Sequence, residues 1–192
     1  MNGKKIAWIV GGVIALAAIV AALSAESGSV QAYGEVAVAG ETLPRFEALP
    51  DPAVGMIAPT VTGETVSVIP GGTPTIVLFL AHWCPHCQVE VVRLTDWVEA
   101  NGMPRGLQLI GVATSSTPAQ GNFPPSVWLE REEFPFPVIY DDEESTAAAA
   151  YGLMAFPYWV VLDSDGRVVK RFTGELPSAD AVTDLFTEVA GL

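Results

Sequence analysis

Residues 75 to 87 read TIVLFLAHWCPHC, an apolar run of strand length that ends at a tryptophan and then presents Cys84 and Cys87 three positions apart. They are the only two cysteines in the chain. A strand feeding a Cys-x-x-Cys at the start of a helical pattern puts the first sulfur at a helix N-terminus, where unpaired amides and the helix dipole stabilise a thiolate. Cys84 is thus the expected nucleophile. Three residues on, Cys87 shares its helix face and can attack a mixed disulfide formed at Cys84, which makes it the resolving thiol. Pro85 suits a first helical turn because the amide it lacks has no intrahelical partner there, and His86 favours a neighbouring thiolate.

The chain has 192 residues, half of them hydrophobic, enough for one well-cored domain of roughly 140 residues with extensions. Its formal charge is −13. Of its nine Lys and Arg, Lys4 and Lys5 precede the first apolar segment, so the remainder sets seven bases against 22 acids. Nucleic acid is excluded as a natural partner by that balance, and the acidity otherwise describes a solvated surface.

Ile6 to Leu23 form an uninterrupted apolar segment of transmembrane length behind two lysines. Residues 1–23 are therefore expected to be a single-pass anchor, with Lys4 and Lys5 cytoplasmic; a cleaved signal peptide ending near Ser24 and Ala25 is the alternative. Either outcome puts the cysteines outside the cytoplasm, where a disulfide persists. Residues 24–52, with three prolines and no sustained period, read as an extracytoplasmic linker holding a short strand near Glu35 to Val38. The folded domain is assigned to 53–192.

Within it the pattern predicts a small hairpin around Gly63, a strand over 75–80, a helix over 84–100 and a strand over 107–112. A Pro-rich and aromatic segment over 118–137 holds a short helix. A strand follows near Val138 to Tyr140, then a helix opened by Asp141 or Asp142 with Glu143 and Glu144 in its first turn. Strands 158–162 and 167–172 are joined by DSDG, and a last helix over 178–190 is capped by Ser178. This order implies an α/β fold, a mixed central sheet with helices on both faces.

With WCPHC at 83–87, Glu90 three residues after the second cysteine, and FPYWVVLDSDG at 156–166, residues 54–190 resemble the thioredoxin superfamily. Within it they are similar to the membrane-anchored TlpA/ResA-type thiol-disulfide oxidoreductases. The resemblance implies a thioredoxin-like fold with an extra strand and helix between the motif helix and Pro157. It also implies a cis bond at Phe156-Pro157, which places Phe156 and Pro157 against substrate beside Cys84. Trp83 occupies the family's position beside the active-site sulfur. Plain thioredoxins carry a buried Asp six residues before the first cysteine; here that residue is Leu78, and Val91 and Val92 follow Glu90 where an apolar residue and Pro are common. Glu90 is left as the candidate proton acceptor for Cys87, against the alternative of an exposed helix glutamate.

Electron flow stays open at this level. The family implies a reductase acting on thiols or disulfides of exported proteins such as apocytochromes, reset by a membrane redox partner, monomeric and without a cofactor. The Pro-His dipeptide resembles instead the strongly oxidising DsbA. A non-catalytic peptide-binding adaptor is a further alternative; a thiol peroxidase lacks its Pro/Thr-rich loop motif here. A zinc site on the two cysteines with His82 and His86 would crowd its ligands too closely for tetrahedral geometry, and no metal is expected. His82 is read as a surface residue, and Phe123, Trp128 and Phe134 as a small satellite core.

Overall fold

The computed structural model describes residues 30–47 and 49–192. The anchor or signal segment expected over 1–23, and the linker as far as residue 29, lie outside the described residues. Among the described residues no helix is long and apolar enough to cross a membrane.

The central sheet has five strands. The apolar run becomes β4 (Thr75–Leu80), every residue of it buried. It pairs in parallel with β5 (Gln108–Ala113) and antiparallel with β7 (Tyr158–Leu162); β6 (Val138–Tyr140) extends the parallel side beyond β5, and β8 (Val168–Thr173) the antiparallel side beyond β7. Leu78 sits between Gly111 and Trp159. A strand buried on both faces reads as a continuous apolar run rather than an alternation, which is the pattern of 75–80.

Alternation still decides which core each side chain joins. Ile76, Leu78 and Leu80 point to the face covered by α1 (Pro85–Asn101) and α4 (Ala179–Ala190), where they meet Val91, Leu94, Val182 and Phe186. Val77 and Phe79 point the other way, toward Tyr151, Tyr158 and the N-terminal part of the domain. There a separate antiparallel sheet, β1 (Ala37–Ala39), β2 (Thr60–Thr62) and β3 (Ser67–Val68), packs with α3 (Thr146–Ala150). The short helix α2 (Pro125–Arg131) lies between β5 and β6. Ser178 caps α4 by accepting the Ala181 amide at 3.2 Å.

Three expectations change. The stretch before residue 53 reads as a spacer, yet its described part is built into the domain. Leu43 is buried, the Leu43 and Phe46 amides donate to the carbonyls of Ala150 and Gly152, and Asp51 forms a buried ion pair with Arg171, which also donates to Pro44 O at 2.8 Å. The helix after β6 starts at Thr146, not at Glu143. Asp141 and Asp142 accept the amides of Thr146, Ala147 and Ala148, so the cap reaches forward over a turn that contains both glutamates and a left-handed Ser145. Trp128 and Phe134 belong to the main core with α1 rather than to a satellite one.

Candidate functional site

The site forms where β4 ends and α1 begins. Cys84 is the N-cap residue of α1, with Pro85 at the first helical position. Its amide donates to Ala81 O at 3.0 Å, which closes the turn out of β4 and sets the residue at the helix N-terminus. Cys84 is 6% exposed and Cys87 fully buried, and both thiols are free. The nucleophile is thus at the rim and its partner beneath. The Ala81 amide lies 3.5 Å from Cys87 Sγ. Burial pushes the Cys87 thiol well up; the Ala81 amide opposes this, while Cys84 and Glu90 add to it.

Glu90 is fully buried one turn beyond Cys87, which decides against an exposed helix glutamate. Its Oε2 accepts the Leu176 amide at 2.6 Å and lies 3.5 Å from Arg93 Nη1, while Oε1 has no partner among the described residues. Burial raises its carboxyl to about 7, with the Leu176 amide and Arg93 pulling down and Glu175 pushing up. A buried carboxyl titrating near neutrality, with one free oxygen and a raised thiol one turn away, is suited to hold a proton in transit.

Glu175, on the loop between β8 and α4, was not singled out from the sequence. Its Oε1 lies 3.6 Å from His86 Nδ1 and its Oε2 3.9 Å from Arg93 Nη1, so it links the exposed His86 to the charges around Glu90. A single acid after a Gly carries no local signal; only the closing of that loop over α1 brings it here.

On the other side of Cys84 stands Trp83, partly exposed, whose Nε1 donates to Ser115 O at 2.8 Å. Its ring meets Phe156 edge-on at 5.7 Å, and the Phe156-Pro157 bond is cis, as expected. The structure therefore brings Trp83, Cys84, Cys87, Glu90 and Phe156 together at one end of the sheet. Pro85 and His86 are exposed on the first turn of α1, and Pro157 is buried at the start of β7.

His82 corrects the sequence reading. It is fully buried, not a surface residue, and both ring nitrogens face backbone groups, so it is not poised as a metal ligand beside the cysteines. Phe123 likewise packs against His82 and Tyr33.

The family model described as Redoxin matches residues 38–187. The chain belongs to the Redoxin family. It is 26% identical over 154 residues to a thiol:disulfide interchange protein DsbE homolog of Paracoccus denitrificans, covering 74% of this chain and 79% of that one. It is 24% identical over 111 residues to the thiol:disulfide interchange protein DsbE of Pasteurella multocida, with 58% of this chain matched to 56% of that protein's length. Among solved structures, StoA from Bacillus subtilis superposes with a TM-score of 0.53 at 22% identity, over 71% of this chain and 99% of that one. This Redoxin chain thus has the thioredoxin-like fold, a mixed sheet with helices on both faces, that the motif and element order imply.

Proposed function

We propose that this chain is a thiol-disulfide oxidoreductase that exchanges disulfides with exported proteins through Cys84 and Cys87, acting as a reductase. The observation that carries the reading is the pairing of a rim thiol at a helix N-terminus with a buried thiol beside a buried, near-neutral carboxyl. The names of its DsbE relatives as thiol:disulfide interchange proteins support the same chemistry.

In the reductive direction the Cys84 thiolate attacks one sulfur of a substrate disulfide. The substrate's S–S bond breaks, a Cys84–substrate disulfide forms, and the first substrate thiolate leaves and takes up a proton. Cys87 then passes its proton to Glu90 and attacks Cys84 Sγ. The mixed disulfide breaks, a Cys84–Cys87 disulfide forms, and the second substrate sulfur departs as a thiolate that takes up a proton. Two electrons have moved to the substrate, and a membrane redox partner restores the dithiol. Trp83 and Phe156 form the surface on which the substrate chain lies, with the buried Pro157 behind Phe156.

The remaining parts of the proposal follow from the sequence. Ile6 to Leu23 anchor a monomeric protein with its catalytic domain on the extracytoplasmic side, and the resemblance to TlpA/ResA-type enzymes makes apocytochromes candidate substrates. The Pro85-His86 pair favours a second reading, a DsbA-like oxidase. The equilibrium potential of the cysteine pair against glutathione, read by Trp83 fluorescence, separates them. A value of about −250 mV or lower supports electron delivery, and one of about −150 mV or higher supports disulfide donation.

A further inference from the structure

His82 directly precedes Trp83 and Cys84, is fully buried, and has no part in the proton and sulfur chemistry above. Its Nδ1 lies 2.7 Å from Gly121 O, an acceptor only, so Nδ1 carries the proton; Nε2 accepts the Thr117 amide at 3.1 Å, so it carries none. Its two partners therefore select one neutral tautomer. The His82 carbonyl oxygen in turn accepts Asn122 Nδ2 at 3.3 Å and Gln88 Nε2 at 3.0 Å. One residue thus ties the loop over 114–124, at Thr117, Gly121 and Asn122, to the strand end that carries the nucleophile.

The loop passes this constraint on. Ser115, held at a φ of 51°, offers its carbonyl to Trp83 Nε1, and Trp83 sets its ring edge-on to Phe156. From outside, Tyr33 Oη donates to Ser116 O at 3.0 Å, so the segment leading into the domain braces the same loop. Residues 118–121 at the loop's tip are exposed, and no charged residue occurs from 108 to 129 in a chain of net charge −13. Beside the cysteines there is thus an uncharged, polar ledge, while the opposite side carries Glu175 and His86.

We propose that the loop over 114–124 is one wall of the substrate groove, and that His82 is a positioning residue that sets this wall for extended polypeptides. An extended chain meets hydroxyl, amide and backbone groups there rather than like charge. A small disulfide reaches Cys84 without crossing the wall, whereas a protein disulfide has to lay chain along it. The inference rests on the exchange activity proposed above and holds in either redox direction.

The test uses the full chain and compares exchange with insulin and with oxidised glutathione, reading KM and kcat separately. For His82→Ala, losing two ring hydrogen bonds should raise KM for insulin about tenfold more than KM for glutathione. His82→Asn, which restores one side-chain donor, should recover part of that. Should His82→Ala not fold, Tyr33→Phe removes only the brace at Ser116 and should raise the insulin-to-glutathione KM ratio about threefold, a single hydrogen bond's worth. Equal losses on both disulfides, a fall in kcat alone, or an unchanged ratio in Tyr33→Phe and in a folded His82 variant would overturn the proposal. A native chain that exchanges with neither disulfide would remove the exchange reading itself and this inference with it.

Discussion

Glu90→Gln tests the site through stability before any substrate is known. Glu90 is fully buried and its carboxyl is pushed up to about 7 from an ordinary 4.5, chiefly by burial. That displacement is worth roughly 3 kcal/mol against the charged form. Because the folded-state value lies above the unfolded one, the native state holds its proton longer. The contribution to stability is complete below pH 4.5, is lost as pH rises to about 7, and stays lost above it. Glutamine has no proton to lose and keeps an oxygen for the Leu176 amide, so the variant lacks this decline. Between pH 4.5 and 8 the variant should gain roughly 3 kcal/mol relative to the native chain, or about 6 to 12 °C in Tm for a protein of this size. Urea unfolding of both proteins at the two pH values, with the thiols kept reduced, measures it. Subtracting one from the other cancels the other acids. A stability difference that stays constant with pH to within about 1 kcal/mol would refute the assignment of a neutral-range carboxyl to Glu90. In that event its role as acceptor of the Cys87 proton falls too.

The other predictions address separate parts of the molecule. Cys87→Ser should stop at the mixed disulfide, so that a substrate adduct on Cys84 accumulates and is visible by mass; a variant that turns over would show that Cys87 does not resolve it. At the Asp51–Arg171 pair, burial raises the Asp51 carboxyl but the Arg171 and Ala53 contacts outweigh it and hold it below its ordinary value. Its stabilisation is therefore present above pH 3.8 and lost as pH falls below that value. Asp51→Ala leaves Arg171 uncompensated and should cost about 3 to 5 kcal/mol near neutral pH, seen as an earlier urea midpoint; a loss under about 1 kcal/mol would mean that the early segment is not anchored by this pair.

What could be read in the sequence was what depends on near neighbours. The run over 75–80 declared a buried strand because both its faces are covered, and Cys84 and Cys87 marked the candidate site because their spacing alone puts two thiols on one helix turn. Residue 178 declared its cap for the same local reason. What could not be read depends on closure across the chain. The partners of His82 lie 35 and 39 residues away on a loop whose composition gives no sign that it folds back. Asp51 meets Arg171 across 120 residues, so a stretch that looks like a spacer is part of the domain. The exposure of Glu90 was undecided for the same reason: it is settled by the Leu176 amide, 86 residues on.

The absence of an acid at position 78 and the burial of Glu90 belong together. Leu78 lies between Gly111 and Trp159 at the centre of the sheet, wholly within an apolar core, and a carboxyl there would have to be desolvated. Moving the acid to α1 keeps it one turn from Cys87 and lets a loop amide and Arg93 compensate part of its burial. It also changes what the proton can reach. An acid beneath the strand is walled in, whereas Glu90 shares Arg93 with Glu175, and Glu175 extends to His86 at the surface. In the proposed mechanism the second residue between the cysteines, His86, would act in two ways, on Cys84 as a neighbour and on Glu90 through its contact with Glu175. A substitution at His86 should therefore alter both the potential and the pH dependence of resolution, and Glu175→Gln the pH dependence more than the potential. Measuring both quantities in both variants separates the two actions, and equal shifts in the potential would show that Glu175 acts on the Cys84 thiolate rather than on Glu90.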